Sequence, residues 1–203
     1  MGATTSSITA ASKEAFFPKS FEIMIIGLDG AGTTSILNRL HRRELPTGVL
    51  PMTIPTIGFN IETVAHARHR LTIWEAGGQD KIRPLWRRYY WNALAFAFAL
   101  DASAPERLPE AREELHRMCG EVNEHPLLIL ANKMDLPGAM DLAHITEALG
   151  IEEIAKRCLV AVKGVSAMTG EGLAEMLDWF VANVSHQDIA RHNENKKNMT
   201  GAW

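Results

Sequence analysis

The chain has 203 residues, a length that favours one domain with a sizeable core. Hydrophobic residues make up 46% of it and charged residues 22%, a balance that excludes wholesale disorder. The 21 basic and 24 acidic residues give a formal net charge of −3, so the surface as a whole has no electrostatic attraction for nucleic acid.

The sequence lacks the usual features of a secreted or membrane-spanning protein. No apolar stretch approaches the ~18 residues that span a bilayer, and the N-terminus has neither the basic start nor the apolar core of a signal peptide. Cys119 and Cys158 stand in no metal-ligand spacing, which is typical of buried thiols in a reducing compartment, with a single disulfide as the alternative. We therefore expect a cytoplasmic protein.

Residues 1–19 form a predicted N-terminal extension rich in serine, threonine and alanine. Its first six residues fit the N-myristoylation pattern, with Gly2 exposed after removal of the initiator methionine and Ser6 at the favoured position. An unmodified, disordered start is the alternative. Because Lys13 and Lys19 are its only basic residues, any membrane attachment through this segment is expected to be weak and reversible.

Residues 20–185 are predicted to fold as one α/β domain. Apolar segments alternate there with segments of helical spacing, which indicates a mostly parallel sheet covered by helices on both faces. Strands are predicted at 23–26, 94–100, 127–130 and 158–162, and helices near 34–43, 105–119, 141–149 and 171–184. Asp141 and Gly150 are the predicted start and end of the third helix.

Two further segments complete the predicted organisation. Residues 57–65 and 70–74 are strand-like and separated by a short polar link, so they are predicted to form a hairpin. This hairpin gives the sheet six strands, one of them an antiparallel edge strand. Residues 186–203 are polar and weakly patterned, and are predicted to be a mobile or loosely docked tail.

A glycine-rich turn follows the first predicted strand and precedes the first predicted helix. Backbone N–H groups in such a turn point at an anion near the positive end of the helix. Thr33 stands where the phosphate-loop pattern G-x-x-x-x-G-K-[ST] has lysine. The residues predicted to hold a phosphate chain are Asp29, Gly30, Ala31, Gly32, Thr33, Thr34 and Ser35.

Loops after two later strands predict a binding site for guanine. The carboxylate of Asp135, in the segment Asn-Lys-Met-Asp, can accept hydrogen bonds from the guanine ring N–H and the exocyclic amine. Adenine has no matching donors, so such a site rejects it. The residues predicted to form the base-binding site are Asn132, Lys133, Asp135, Ser166, Ala167 and Met168, and Asn132 is predicted to tie its loop to the neighbouring loops.

The end of the second hairpin strand carries residues suited to a terminal phosphate. Gly78 N–H can contact that phosphate, and Gln79, the predicted catalytic residue, can orient a water for in-line attack. The hydroxyls of Thr34 and Thr56 can ligate Mg²⁺, which Glu75 can reach through water. The predicted cofactors are therefore a guanine nucleotide and Mg²⁺.

Together these segments resemble the ADP-ribosylation-factor and Arf-like family of small GTPases, along roughly residues 20–185. The segments most specific to that family are 55–60, Pro-Thr-Ile-Gly-Phe-Asn, and 77–86, Gly-Gly-Gln-Asp-Lys-Ile-Arg-Pro-Leu-Trp. Residues 27–32, 111–115 and 132–137 add further matches. The resemblance implies the P-loop NTPase fold of a small G protein.

The resemblance also implies a GDP/GTP switch that acts in membrane traffic or related signalling. Its partners would be an exchange factor, a GTPase-activating protein and effectors, and the resemblance supports myristoylation of Gly2. Effectors would contact an aromatic cluster of Phe59, Trp74 and Tyr89, for which buried packing is the alternative. We expect a monomer, cytoplasmic or peripheral on intracellular membranes.

A group of basic residues follows Gln79 in the sequence. Lys81, Arg83, Arg87 and Arg88 are predicted to form a solvated helix face. Contacts to acidic partners or to membranes are the alternative.

Two residues depart from the family pattern at the phosphate end. Thr33 replaces a lysine that bridges the β- and γ-phosphates, which predicts nucleotide binding weakened by roughly 10- to 150-fold and slow hydrolysis. Glu75 replaces the usual aspartate, and its extra methylene would displace the bridging water or misplace the metal. Two hypotheses therefore stay open: a GTPase of low intrinsic activity, and a nucleotide-poor protein that acts as an interaction scaffold.

Overall fold

The computed structural model describes residues 19–42, 56, 58–122 and 124–200. Its strands are β1 (Lys19–Gly27), β2 (Phe59–His66), β3 (His69–Ala76), β4 (Ala95–Asp101), β5 (Leu127–Asn132) and β6 (Val160–Gly164). They form one six-stranded sheet in the order β2-β3-β1-β4-β5-β6. Only β2 and β3 pair antiparallel among these neighbours, so the predicted sheet with its antiparallel edge strand is confirmed.

The central strands are apolar because helices cover both faces of the sheet. Every residue of β5 is buried, as is every residue of β4 except Asp101. The helices are α1 (Thr33–His41), α2 (Leu108–Cys119), α3 (Leu142–Leu149), α4 (Ile151–Ala155), α5 (Leu173–Asn183) and α6 (His186–Thr200). Helices α1 and α5 pack on one face, and α2, α3 and α4 on the other.

Helix α3 begins and ends at the predicted caps. The N–H of His144 donates to Asp141 Oδ1 at 2.7 Å, and Gly150 follows the helix with φ 67°. We expect Asp141→Ala to lower the free energy of unfolding by about 1 kcal/mol, because the first turn loses its side-chain acceptor. Urea denaturation measures this, with the exposed Glu147→Ala of the same helix as a control expected to change little.

Helix α6 occupies most of the predicted tail. Ile189 packs against the core, Lys196 Nζ lies 2.7 Å from Glu22 Oε1, and His192 Nε2 lies 3.2 Å from the carbonyl oxygen of Asn92. The structure therefore has a docked helix where the sequence predicts a mobile or loosely docked tail. The helix was not predicted because its few apolar residues, Ile189, Ala190 and Met199, have no helical spacing, and its other contacts are made with polar groups that are distant in the sequence.

The predicted N-terminal extension, with its lipidation site Gly2, lies outside the described residues except for Lys19, which begins β1. The division of the chain into this extension, the domain at 20–185 and the C-terminal segment at 186–203 stays a prediction. No helix within the described ranges is both long enough and apolar enough to cross a membrane.

Candidate functional site

The carboxyl ends of the parallel strands meet at one edge of the sheet, where open α/β sheets bind ligands. The loops after β1 and β3 border a cavity of about 370 Å³ at this edge. Its described lining residues are Leu28, Asp29, Gly30, Gly32, Thr33, Thr34, Ser35, Thr56, Glu75, Gly77, Gly78, Gln79 and Lys133. The structure thus brings the predicted phosphate loop together with the predicted metal and catalytic residues. A larger cavity, of about 870 Å³, lies between α3, α4 and β6 and contains none of the predicted site residues.

The phosphate loop leads directly into helix α1. Gly32 precedes the helix with φ 85°, and its position carries no side-chain cap, so the first-turn N–H groups are open to an anion. A Cβ on Gly32 would collide with the side-chain amide of Asn132. The backbone here requires glycine both for its conformation and for this close contact.

The loop after β3 packs closely against the phosphate loop. Asp29 N–H donates to the carbonyl oxygen of Gly78 at 3.1 Å, and a Cβ on Gly78 would collide with the carbonyl oxygen of Gly27. Gln79 follows at the rim of the same cavity. A ligand on the phosphate loop would therefore contact this second loop as well.

Glu75 lies at the centre of a group of polar side chains and is fully buried, with 0% of its surface exposed. Its Oε1 accepts hydrogen bonds from Thr33 Oγ1, at 2.8 Å, and from Thr34 Oγ1. Its Oε2 accepts a hydrogen bond from Asn60 Nδ2 at 2.7 Å. The Thr56 hydroxyl lies 3.0 Å from that of Thr34 and 3.5 Å from Glu75 Oε1.

The spacing of the two hydroxyls suits a magnesium ion. Octahedral Mg²⁺ with bonds of about 2.0–2.1 Å holds adjacent ligands about 3 Å apart. The 3.0 Å between Thr34 Oγ1 and Thr56 Oγ1 matches that separation. Hydroxyl and carboxylate oxygens are also the ligand types that Mg²⁺ prefers, so Thr34, Thr56 and Glu75 fit the ion.

The cavity is poor in positive charge. Lys133 is the one basic residue among its described lining residues, and Lys133 Nζ forms an ion pair with Asp101 Oδ2 at 2.5 Å. Thr33 contributes a hydroxyl instead of an ammonium group. A phosphate chain here would therefore depend on backbone N–H groups and on a bound cation.

A second, smaller cavity of about 140 Å³ adjoins the phosphate loop on the side of β5. Ser166 Oγ donates to Asp135 Oδ1 at 2.5 Å and so fixes the carboxylate. Met168 is partly exposed at this cavity. The described residues that line it are Gly32, Ser35, Asn132, Lys133, Asp135, Leu136, Ala167 and Met168.

Asn132 connects the three loops at this edge. Its buried side chain donates from Nδ2 to the carbonyl oxygen of Ala31 at 2.8 Å and accepts at Oδ1 from Ala167 N–H at 3.1 Å. The phosphate loop, the Asn132 loop and the Ser166 loop are therefore held in fixed relation, as a shared ligand would require.

The whole domain matches a known family. The family model of the ADP-ribosylation factor family matches residues 7–184 of this chain. The chain belongs to the ADP-ribosylation factor family. Its structure is also similar to that of the Arl6 BBS3 small GTPase from Trypanosoma brucei with bound nucleotide analogue GppNp. That match has a TM-score of 0.71 and 27% identity, and covers 83% of this chain and 99% of that chain. The predicted small-GTPase fold is therefore confirmed.

One of the predicted solvated basic residues of this Arf-family chain is instead buried. Arg83 is 8% exposed and donates to the Gly78 carbonyl oxygen at 2.8 Å, to Glu110 Oε1 at 2.8 Å and to Asp29 Oδ1 at 3.1 Å. It thus ties the loop after β3 to the phosphate loop and to α2. The prediction of a solvated face is therefore wrong for Arg83. The other three residues, Lys81, Arg87 and Arg88, are exposed, as predicted.

Arg107 is a second residue of this Arf-family chain that contacts the phosphate loop without having been predicted from the sequence. Its NH2 donates to Asp29 Oδ1 and to Glu110 Oε2, each at 2.9 Å. The hydrogen bond from Arg107 lowers the pKa of Asp29. Burial raises the pKa of Glu110, but the hydrogen bonds from Arg107 and Arg83 outweigh it, so the pKa of Glu110 is lowered as well. Arg107 and Asp29 are 78 positions apart, which explains why no local pattern indicated the pair.

Because both pKa values are lower in the folded state than the ordinary values of 3.8 and 4.5, this network should stabilise the fold above about pH 5. The stabilisation is lost as the pH falls through the lowered pKa values. We expect Arg107→Gln to lower the melting temperature at neutral pH and to have progressively less effect in acid. Thermal unfolding from about pH 7 to about pH 2.5 measures this, and a pH-independent difference would contradict it.

The aromatic residues of the predicted effector surface are half-buried in this Arf-family chain. The ring centroids of Phe59 and Tyr89 lie 3.8 Å apart, and both residues pack with Trp74 against the core. Ile61, which pairs with Trp74 across the hairpin, is 50% exposed. The cluster therefore combines buried packing with a partly accessible face, and its contact with effectors stays a prediction.

Proposed function

We propose that this Arf-family protein binds GDP and GTP with Mg²⁺ and acts as a nucleotide-dependent switch. The observation that carries this proposal is the pair of adjoining cavities, which share Gly32, Ser35 and Lys133. One suits a phosphate chain and a magnesium ion, and the other suits a purine base. The similarity to a small GTPase with bound GppNp supports the same conclusion.

The base cavity favours guanine. Asp135 can accept from the guanine N1–H and the exocyclic amine, and its hydrogen bond from Ser166 orients the carboxylate for both. The neighbouring backbone N–H groups of Ala167 and Met168 are candidates for the guanine carbonyl, although Ala167 N–H also donates to Asn132. Adenine has an acceptor, N1, and a C2–H in place of these two donors, so Asp135 would be left without a partner on the base, which disfavours ATP.

Two loops would sense the γ-phosphate. Thr56 lies before the β2–β3 hairpin and Gly78 lies after it, and both border the phosphate cavity. Contacts from a γ-phosphate and its magnesium ion to these loops would change the hairpin and aromatic surfaces offered to effectors. An exchange factor and a GTPase-activating protein would act on the same loops.

Bound Mg²⁺ would supply charge neutralisation at the β- and γ-phosphates. Thr34 and Thr56 would hold it, and Gln79 would orient the attacking water from the rim of the cavity. Because Thr33 carries no charge, we propose weaker phosphate binding than in lysine-containing relatives and slow hydrolysis of GTP. The protein is on this view a GTPase of low intrinsic activity.

A nucleotide-poor interaction scaffold is the second candidate. The observation in its favour is that Glu75 already hydrogen-bonds Thr33 and Thr34 of the phosphate loop and Asn60 of the hairpin. Such contacts could hold the hairpin in one position and present the aromatic surface permanently. The scaffold would then have effector-like partners without a nucleotide cycle.

The two candidates differ in bound ligand. Purified protein should be denatured and the released nucleotide identified by chromatography, and fluorescent GDP, GTP and ATP should be titrated in the presence of Mg²⁺. The switch proposal expects guanine nucleotide and little ATP binding. Absence of bound nucleotide, together with no binding up to roughly 100 μM, would leave the scaffold as the function.

We further propose that the protein is a monomer that associates reversibly with intracellular membranes through a myristoyl group on Gly2. A single myristoyl chain gives only marginal membrane affinity, which suits a reversible switch in membrane traffic. Mass spectrometry after co-expression with an N-myristoyltransferase tests the modification, and Gly2→Ala is the matched control. An unmodified N-terminus in the parent protein would exclude this mode of attachment.

A further inference from the structure

We propose that Thr33 and Glu75, the two residues that depart from the family pattern, form a matched pair. In this pair the Thr33 hydroxyl positions the Glu75 carboxylate against the two hydroxyls that suit a cation. Thr33 is thus a positioning residue for the cation site, beyond its effect as a missing lysine. The inference rests on the proposed function for its cation role, while the pairing itself rests on side-chain contacts.

The length of Glu75 makes the contact possible. Glu75 Oε1 lies 2.8 Å from Thr33 Oγ1, and the same oxygen accepts a hydrogen bond from Thr34. An aspartate on the same backbone would end about 1.5 Å short of these positions, since it lacks one carbon–carbon bond. The hydrogen bond to Thr33 therefore exists because the longer acid and the shorter phosphate-loop side chain occur together.

Burial makes the contact important to the carboxylate. Glu75 is fully buried, and a buried carboxylate without hydrogen-bond donors is strongly unfavourable. Thr33 and Thr34 donate to one oxygen and Asn60 donates to the other. Removal of the Thr33 hydroxyl leaves Oε1 with fewer donors and with less restraint on its orientation.

The same oxygen faces the cation site. Thr56 Oγ1 lies 3.5 Å from Glu75 Oε1 and 3.0 Å from Thr34 Oγ1, so the three oxygens surround one small region. A negative carboxylate held there attracts a divalent cation, which offsets part of the positive charge that the phosphate loop lacks. Phosphate binding in this chain should consequently depend more steeply on Mg²⁺ than in a protein with the lysine.

A double-mutant cycle tests the pair. The variants are Thr33→Val and Glu75→Asp, singly and together, with Thr33→Ser as the conservative replacement that keeps the hydroxyl. Thr72→Val, on β3, is the matched control for a threonine outside the site. Two quantities are measured: stability to urea in nucleotide-free protein, and the Mg²⁺ concentration that half-maximally slows release of fluorescent GDP.

We expect Thr33→Val to raise that Mg²⁺ concentration about tenfold in the parent protein, as for loss of one hydrogen bond to a charged group. In the Glu75→Asp background the same change should have less than a roughly twofold effect, because the shorter acid does not reach Thr33. Thr33→Ser should behave as the parent and Thr72→Val should leave the value unchanged.

The proposal that Thr33 and Glu75 act as a pair would be overturned if Thr33→Val had the same effect in the parent protein and in the Glu75→Asp variant, whether on stability to urea or on the Mg²⁺ concentration. If the parent protein binds no guanine nucleotide, the proposed function and the cation role both fail. The urea cycle then decides the pairing alone: coupling between the two substitutions supports it, and additive changes refute it.

Discussion

The Asp135→Asn variant should bind GDP about 100- to 10,000-fold more weakly than the parent protein. Each hydrogen bond to a carboxylate contributes about 1.5–3 kcal/mol, and the guanine N1–H and exocyclic amine would both lose the charged carboxylate as their acceptor. The asparagine NH₂ would moreover face the exocyclic amine, so that two donors oppose each other. An effect of this size is expected because Asp135 is held in place by Ser166.

The same variant should gain affinity for xanthosine diphosphate relative to GDP. Xanthine carries a carbonyl where guanine carries the exocyclic amine, and that carbonyl can accept from the new side-chain NH₂. A reversal of base preference cannot result from general unfolding, so it separates specificity from stability. Competition of both diphosphates against a fluorescent nucleotide, at fixed Mg²⁺, gives the ratio of the two dissociation constants.

Glu147→Gln is the matched control, because it also neutralises one carboxylate but lies on the exposed side of α3. It should leave both affinities within about twofold of the parent values. If Asp135→Asn binds GDP as tightly as this control, Asp135 does not contact the base. Selectivity for guanine would then have to come from the backbone around Ala167 and Met168.

Local patterns account for what the sequence alone predicted. The glycine-rich turn at 27–34 is preceded by an apolar strand and followed by a helix, and that order fixes its place at the sheet edge. Asp141 and Gly150 were predictable as helix caps because a cap depends on residues within one turn. The hairpin was predictable because two strand-like segments are joined by a short polar link.

Contacts between distant residues account for most of what was missed. Thr33 and Glu75 are 42 positions apart, so in the sequence they look like two separate departures from the family pattern, although their side chains are hydrogen-bonded to each other. Arg83 was predicted to be solvated because its neighbours are charged, but it is buried between the phosphate loop and α2. Helix α6 was missed because its docking depends on Glu22 and Asn92, far away in the sequence.

Thr33→Lys should strengthen GTP binding and speed hydrolysis, and the gain should be largest when Glu75→Asp is made at the same time. An ammonium at position 33 can bridge the β- and γ-phosphates and meet charge in the transition state. With Glu75 present, however, that ammonium lies beside a buried carboxylate that already contacts position 33. The resulting ion pair competes with the phosphates for the lysine.

We therefore expect roughly tenfold tighter GTP binding for Thr33→Lys alone and up to about 150-fold for the double variant, the range for a regained charge-assisted hydrogen bond. Fluorescent-nucleotide titration measures affinity, and single-turnover hydrolysis of pre-bound GTP measures the chemical step. Thr72→Lys, on β3, adds the same charge away from the cavity and should change neither.

The pattern of gains distinguishes the possible roles of the missing lysine. A Thr33→Lys variant no tighter and no faster than the parent in both backgrounds would mean that the absent ammonium does not limit this site. Equal gains in the parent and in the Glu75→Asp background would mean that the carboxylate does not compete for position 33. A gain that requires both substitutions would indicate that the chain exchanged one functional arrangement, lysine with aspartate, for another, threonine with glutamate and a more strongly required cation.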